Sequence, residues 1–487
     1  MRAHISTEDR RWWSLGVVSL ATLMVALDAT IINIALPRAQ ADLHFTTSNR
    51  QWLITSYALT FGSLLLLGGR LSDLWGRRRA LFIGMTGFAL ASALGGSAHT
   101  FGVLVTARAI QGAFGALLAP AALATMTTTF VDPNDRAKAF SIYGAIGGSG
   151  AAIGLVLGGA LTQWATWRWC LFINVVIAGV ALVGAALFVD PGREGGRIRL
   201  DVLGTVLASA GLFFIVYGLG NAVTAGWSDE STWGSLLLGV VLLVGFTLWQ
   251  RRARHPLLPL RTLLNRTRGG SLTALFLTNA SVFGASLFLA YYLQTTLGYS
   301  PLRTGIDFLP MVAALALSAF VASARLLAKV GPRPLIPTGM ILAMMGMILF
   351  TKLGANSNYI GDVFPGLVVT GLGLGMIYAP AVASATAGVA TTEAGAASAL
   401  VNTAQQIGGS VGVALLNTIA VSVSLRYANA HDTPLAASSS EATLHGYAVA
   451  FWWAAGFFAV GAIASFLLLD SGVPELDDEG KLSAATA

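Results

Sequence analysis

The chain has little charge and almost no cysteine, and each shortage excludes a class of protein. Its one cysteine, Cys170, rules out an intrachain disulfide and a thiolate metal cluster. Charged residues make up 10% of the chain, whereas soluble domains contain about 25%. The six histidines fall in loops or at the ends of apolar runs, so no metal site is expected.

Long apolar runs take the place of charge. Hydrophobic residues are 55% of the chain, and about 20 mostly apolar residues are enough for a helix to cross a bilayer. Such runs favour membrane-spanning helices over the alternating pattern of a membrane barrel. Fourteen are present, at 12–36, 50–71, 80–98, 101–129, 139–161, 169–189, 202–221, 233–250, 270–297, 304–327, 334–353, 362–389, 397–425 and 446–469. The predicted fold is therefore an all-α integral membrane protein with 14 spans.

A short basic turn occurs twice, about half a chain apart. Gly69–Arg79 reads GRLSDLWGRRR, and a degraded copy at 324–333 reads ARLLAKVGPR. The matching pairs are Arg70/Arg325, Leu71/Leu326, Gly76/Gly331 and Arg78/Arg333. A repeat of this kind is typical of an internally duplicated carrier. Because Ala328 replaces Asp73 in the second copy, we expect the halves to share an architecture and not a mechanism.

The repeat divides the chain into four segments. Residues 1–190 and 269–470 are predicted six-helix bundles, and 191–268 is a predicted linker that carries two inserted helices. The polar, acidic residues 471–487 are expected to form a disordered cytoplasmic tail.

The net charge of +7 follows the membrane topology and does not indicate nucleic-acid binding. With the N-terminus inside, 22 of the 29 basic residues lie on the cytoplasmic side, six lie outside and Arg108 lies within a span. Since positively charged loops stay in the cytoplasm, both termini are expected there.

These motifs resemble those of the major facilitator superfamily. The first turn is similar to its signature loop between spans two and three, and it matches at Gly69, Leu71, Ser72, Asp73, Gly76, Arg77 and Arg78. Ala107–Gly112 resembles its buried-arginine motif. Fourteen spans, with Leu27–Pro37, Trp167–Trp169, Phe172 and Asn174, are similar to the fourteen-span drug:proton antiporter branch. The resemblance implies two six-helix bundles plus two inserted helices, and a loop in which Asp73 and Arg77 help to lock the cytoplasmic side.

Span five resembles the antiporter signature in its glycines, which are Gly144, Gly147, Gly150, Gly154, Gly158 and Gly159. Leu155 stands where that signature has a proline, and Val176 replaces a proline commonly found after Asn174. These departures leave room for another carrier on the same fold, such as an importer or an exporter of lipids or metabolites. Small residues also let membrane helices pack closely, whatever their function.

Asp28 is the one acidic residue well inside a span, and Arg108 is the one basic residue deep in a span. An isolated carboxylate in the membrane is costly and is usually functional. At 1.5 Å per residue, Asp28 lies roughly 14 Å and Arg108 roughly 11 Å below the outer face. The resemblance places spans one and four beside the same cavity, so we expect the two side chains to interact, directly or through water. A proton-coupling site and a static ion pair both remain open.

The resemblance also implies a substrate cavity lined by spans one, four, nine and twelve. Candidate lining residues are Asn33, Tyr57, Gln111, Tyr143, Asn279, Tyr291, Tyr378, Asn402 and Gln406. The same residue types also serve as interhelical hydrogen bonds or interfacial anchors. Beyond Asp307 near the start of span ten, the acidic residues within the spans of the second half are only the peripheral Asp362 and Glu393. We therefore expect monovalent cationic, neutral or zwitterionic amphipathic substrates and not dications.

The function expected from the sequence is proton-coupled export of small amphipathic compounds by alternating access, by a monomer in a bacterial cytoplasmic membrane and without a cofactor. One proton moving down 100 mV supplies about 2.3 kcal/mol for such export. A channel, a sensor and a membrane enzyme are the other classes considered. The spans carry no paired carboxylates, nucleotide-binding loop or nucleophile motif, which disfavours an enzyme.

Overall fold

The chain folds almost entirely into helices in its computed structural model. The structure describes residues 7–47, 49–130, 132–190, 201–253, 265–322, 326–387, 394–430, 438–470, 475–476 and 482–483. The start of the predicted linker, residues 191–200, lies outside these ranges, as does Glu393.

The first half of the described chain consists of eight helices. They are α1 (Thr7–Leu43), α2 (Trp52–Trp75), α3 (Arg77–Gly96), α4 (Phe101–Thr129), α5 (Pro133–Trp164), α6 (Trp169–Phe188), α7 (Val202–Thr224) and α8 (Glu230–Arg252). Helix α1 continues past Pro37, where the sequence predicts the span to end. Proline is tolerated inside membrane helices because neighbouring groups satisfy the freed carbonyl.

The second half is more interrupted. Its helices are α9 (Arg266–Tyr291), α10 (Pro301–Asp307), α11 (Leu309–Val321), α12 (Leu327–Val330), α13 (Pro332–Phe350), α14 (Phe364–Thr386), α15 (Ala394–Ala430) and α16 (Ser438–Leu468). Two π-helical turns, Tyr292–Thr296 and Tyr359–Val363, continue α9 and precede α14. In the tail, β1 (Glu475–Leu476) pairs antiparallel with β2 (Leu482–Ser483).

Within the described ranges, twelve helical stretches are long and apolar enough to cross a membrane. Helices α2 and α5, which contain positions outside the described set, are not among these twelve. The structure is thus that of a helical, multi-pass membrane protein.

The chain divides into two compact units. Unit 1 comprises Met1–Phe45, Ser56–Ser209 and Ser300–Ile306, and unit 2 comprises Thr46–Thr55, Ala210–Tyr299 and Asp307–Ala487. In unit 1, α1 packs against α4, α5 and α6, and α3 packs against α4 and α6. In unit 2, α9 packs against α14, α15 and α16, and α13 packs against α14 and α16.

The repeated turn has the same backbone form in both copies. Gly76 has φ 85° and Gly331 has φ 73°, a region that side-chain-bearing residues rarely adopt. Just after each glycine, an arginine donates to a carbonyl in the last turn of another helix of its own unit. Arg78 Nη2 lies 3.0 Å from the Ala186 oxygen, and Arg333 Nε lies 3.2 Å from the Phe466 oxygen. The duplicated sequence therefore carries a duplicated helix-end contact.

Helix α8 exposes most of its apolar surface. Only 11% of its most hydrophobic stretch is buried, compared with 67% in α9. Leu237, Val241 and Leu248 are each more than half exposed. An apolar surface of this kind is stable when it faces lipid.

Candidate functional site

Asp28 lies fully buried on α1, and three side chains donate hydrogen bonds to its carboxylate. Arg108 Nη1 lies 2.6 Å from Oδ2. Gln111 Nε2 and Asn174 Nδ2 lie 3.1 Å and 2.8 Å from Oδ1. The charge is thus neutralised by Arg108 and satisfied by two amides, as a carboxylate in an apolar surround requires. The structure brings Asp28 and Arg108 into direct contact.

The two amides differ in how firmly they are held. Gln111 Oε1 accepts from Arg108 Nη1 at 3.0 Å, and Gln111 Nε2 also donates to the Ser92 hydroxyl at 2.6 Å. Asn174 is equally buried, but its Oδ1 has no hydrogen-bond partner among the described residues. We refer to Asp28, Arg108, Gln111, Asn174 and Ser92 as the carboxylate cluster.

Tyr57 covers the arginine of this cluster. The Arg108 guanidinium carbon lies 4.4 Å from the centroid of the Tyr57 ring, a distance that gives a cation–π attraction. The Tyr57 hydroxyl is buried and has no partner within the described part of the chain. Of the nine predicted cavity residues, Tyr57 and Gln111 therefore contact the Asp28–Arg108 pair.

The glycines of α5 let α1 approach closely at the turn that carries Asp28. A Cβ built at Gly150 would lie 2.8 Å from the Ala26 side chain, and one at Gly158 would lie 2.8 Å from Ile31. At Gly154, it would overlap the Thr30 hydroxyl and lie 2.9 Å from the Leu27 carbonyl oxygen. These three positions are four residues apart, so they form one ridge of α5. Gly159 packs instead against Pro301 and Leu302, while the packing of Gly147 is outside the described set.

The predicted gating motif spans the end of α2 and the start of α3. Gly69 lies against Pro120 of α4, Gly76 forms the turn, and Arg77 is exposed. Arg78 also lies 5.7 Å from the Phe82 ring centroid. The side chain of Asp73 is outside the described set, so the role of Asp73 and Arg77 in locking the cytoplasmic side stays a prediction.

The other predicted cavity residues fall into both units. In unit 1, Asn33 and Tyr143 are half-buried, and the Tyr143 hydroxyl bonds Thr22. In unit 2, the Tyr378 hydroxyl donates to Asn279 Oδ1 at 3.1 Å. Asn402 is exposed and Gln406 is half-buried on α15. Tyr291 is buried in a different cluster, described next.

Arg50, which is one of the six basic residues expected on the outer side, is a buried cation. It is 2% exposed, and its Nε donates to Asn417 Oδ1 at 3.0 Å. Its Nη1 lies 3.3 Å from the Tyr447 hydroxyl, and its guanidinium carbon lies 4.4 Å from the Tyr291 ring centroid. Arginine is common at the end of a span, where its charge reaches the membrane interface, so the sequence carried no signal that Arg50 is buried.

The Trp-Arg-Trp motif secures the end of α1 within unit 1. Arg168 Nη1 and Trp167 Nε1 donate to Asp42 Oδ2 at 2.6 and 3.0 Å. Arg168 also donates to the Ala98 carbonyl at 3.1 Å. This ion pair is partly exposed, in contrast to the buried Asp28–Arg108 pair. Across the described ranges, no three His, Cys, Asp or Glu side chains come together as a metal site would require.

The described helices are those of a multi-pass membrane protein with a buried ion pair, and sequence comparison identifies its family. Residues 18–413 match the Major Facilitator Superfamily, and the chain belongs to this family.

Known relatives cover nearly all of the chain. The puromycin resistance protein of Streptomyces alboniger is 46% identical, over 99% of this chain and 95% of that protein. The cephamycin export protein of Amycolatopsis lactamdurans is 36% identical, over 83% and 84% of the two chains. The fold also resembles the solved inward-facing, occupied structure of a bacterial homolog of the human lysosomal transporter Spinster. That comparison has a TM-score of 0.69 at 16% identity and covers 98% of this chain and 99% of the other.

Proposed function

We propose that the chain exports small amphipathic compounds across a bacterial cytoplasmic membrane in exchange for protons. The observation that carries this proposal is Asp28, a fully buried carboxylate paired with an equally buried arginine in an apolar helix. Groups of this kind mark proton and substrate pathways in membrane proteins. The relatives support the direction of transport, since one is named a resistance protein and another an export protein.

Proton binding at Asp28 would change how strongly α1 and α4 are held together. The ionised carboxylate attracts Arg108 across 2.6 Å, where the low dielectric strengthens the attraction. A neutral Asp28 keeps hydrogen bonds but loses this attraction. Protonation therefore loosens α1 from α4, and deprotonation tightens them again, which couples proton movement to the conformation of unit 1. At 100 mV, one proton supplies about 2.3 kcal/mol to this cycle.

The finer architecture belongs to the same proposal. It has fourteen spans, with bundles at 1–190 and 269–470 and an inserted pair within 191–268. Both termini are cytoplasmic, in keeping with the distribution of basic residues. The protein works as a monomer, and the loop from Gly69 to Arg78 helps to close the cytoplasmic side of the carrier. The proposed substrates are monovalent cations, neutral compounds or zwitterions that bind at the predicted cavity residues.

The test is efflux of a monovalent cationic dye from energised membrane vesicles, with and without an uncoupler. We expect native efflux to depend on the proton gradient and Asp28→Asn to lose that dependence, because an amide cannot release a proton. Asp42→Asn is the matched control, since Asp42 lies on the same helix in a partly exposed ion pair. It should retain uncoupler-sensitive efflux.

Two results would change the proposal. If Asp28→Asn keeps native efflux and native pH dependence, the Asp28–Arg108 interaction is a static structural ion pair. Dye movement that ignores the uncoupler in the native chain would indicate passive transport. The second candidate, another carrier on the same fold, would then be preferred, as Leu155 and Val176 allow.

A further inference from the structure

We infer that Asn174 is the switching partner of Asp28, with its amide donating to the ionised carboxylate and accepting from the protonated acid. The inference rests on the proposed function, since it assumes that Asp28 gains and loses a proton. It goes beyond that function by assigning the residue that keeps a buried Asp28 hydrogen-bonded in both states.

The geometry selects the oxygen that takes the proton. Oδ2 faces Arg108 Nη1 at 2.6 Å, and a guanidinium only donates and stays protonated. A proton on Oδ2 would bring two donors face to face. Oδ1 faces two amide groups, and an amide can present either a donor or an acceptor. The proton therefore belongs on Oδ1, and one of the two amides must turn to receive it.

Gln111 is held too firmly to turn. Reversing its amide would remove the acceptor used by Arg108 at 3.0 Å and place an N–H donor against the guanidinium, which can only donate. Asn174 forms one side-chain hydrogen bond within the described part of the chain, from Nδ2 to Asp28, and its Oδ1 is buried without a partner among the described atoms. Turning Asn174 exchanges an unpartnered oxygen for an unpartnered amide hydrogen, so the number of unsatisfied buried groups does not rise.

The step balances in protons and charge. One proton binds Oδ1 of Asp28, the Asn174 amide rotates by half a turn, and the new acid O–H donates to Asn174 Oδ1. The bond from Asn174 Nδ2 is broken, while Arg108 continues to donate to Oδ2. The cluster changes from neutral to a single positive charge, which remains on Arg108.

The proton is assigned to Asp28, and the neighbouring groups have to be considered beside it. The other charged or titratable groups whose electrostatics involve Asp28 are Arg108 from α4, Tyr57 from α2 and Cys170 from α6. In water, the phenol and the thiol are both uncharged at pH 7. On α5, the Tyr143 hydroxyl bonds Thr22 and Asp135 pairs with Arg11.

The experiment follows the carbonyl band of protonated Asp28 by infrared difference spectroscopy of the purified full-length chain, as a function of pH. The band is assigned by its loss in Asp28→Asn. Gln111→Leu removes a donor that stabilises the ionised carboxylate more than the neutral acid, so the protonation midpoint of Asp28 should rise by on the order of one pH unit. Asn174→Leu removes one bond from each form, so its midpoint should move much less. In Asn174→Leu, the carbonyl band of protonated Asp28 should shift to higher frequency, because the acid O–H has lost its acceptor. Asn174→Ser should return this band to its native frequency.

The opposite pattern would overturn the inference. If Asn174 only donates, Asn174→Leu should raise the protonation midpoint of Asp28 as much as Gln111→Leu does. The frequency of the Asp28 carbonyl band should then be unchanged. If Asn174→Leu does not fold, the native chain with ¹⁵N-labelled asparagine decides the matter. Its spectrum must contain an asparagine amide change that follows Asp28 protonation and is lost in Asn174→Ser. A native chain without any band that depends on Asp28 would instead contradict the proposed function.

Discussion

Arg50 is a buried positive charge that contacts an amide, a phenol and aromatic rings, and no carboxylate of the described residues pairs with it. Its guanidinium carbon lies within 6 Å of the Phe288, Tyr291 and Tyr447 ring centroids. Each such contact contributes up to about 2 kcal/mol when it is desolvated, yet burying the charge costs several kcal/mol. Arg50 Nη2 and the neighbouring Asn417 Nδ2 both lack hydrogen-bond partners among the described atoms. Both of these buried donors thus lack an acceptor within the described part of the chain.

This arrangement predicts opposite effects of two substitutions at one position. Asn417→Asp should raise the thermal unfolding midpoint of the purified protein at pH 7, because a carboxylate at 3.0 Å from Arg50 Nε supplies the missing negative charge. Asn417→Leu should lower it, since a hydrogen bond to a charged group contributes about 1.5–3 kcal/mol. A midpoint that falls in both variants would mean that the site is limited by packing and not by charge.

At the scale of single elements, the ridge of α5 glycines sets how close α1 can come. Gly154→Ala should destabilise the protein by about 1–3 kcal/mol, because the new methyl group meets the α1 backbone at Leu27. Gly179→Ala on α6 is the control, since a Cβ there meets nothing within 4 Å. Thermal unfolding of both variants, with proton-coupled efflux measured alongside, checks the expectation. Equal stability of Gly154→Ala and Gly179→Ala would contradict the role of the α5 glycine ridge in positioning Asp28.

Helix positions follow from the sequence because each span is a long apolar run. Helix α4 begins and ends at the residues predicted for span four, Phe101 and Thr129. The π turns at Tyr292–Thr296 and Tyr359–Val363 were not predicted, because they depend on packing and leave no periodic signal. Continuation of α1 past Pro37 was missed for the same reason, since it depends on neighbouring groups.

The candidate site was predictable only in part. Asp28 and Arg108 stand out in the sequence because charge is rare inside spans. Asn174 was noticed only as part of a family motif, and Ser92 was not singled out, since single polar residues in membrane helices are common. Their convergence on one carboxylate depends on how α3, α4 and α6 pack, which one sequence does not specify.

For the molecule as a whole, the distribution of buried acids predicts which substrates it handles. Among the described residues, only Asp28 and Asp307 are buried carboxylates, and they lie in different units. We expect monovalent dyes to be exported at least about tenfold faster than dications of similar size, because only one acid stands in the proposed coupling site. Competition efflux with a matched mono- and dicationic pair tests this. Equal rates would require a second negatively charged contact.

The solitary thiol has a practical consequence for watching this molecule move. Cys170 is fully buried, with its sulfur 3.3 Å from the Thr162 hydroxyl and 3.6 Å from the Gly158 carbonyl oxygen. Maleimide reagents should therefore leave the folded native chain unmodified. Cysteines introduced at exposed sites, such as Val180 on α6 or Val460 on α16, would be the only thiols to react. Pairs of spin labels or fluorophores can then report distances during transport without any prior removal of a native residue.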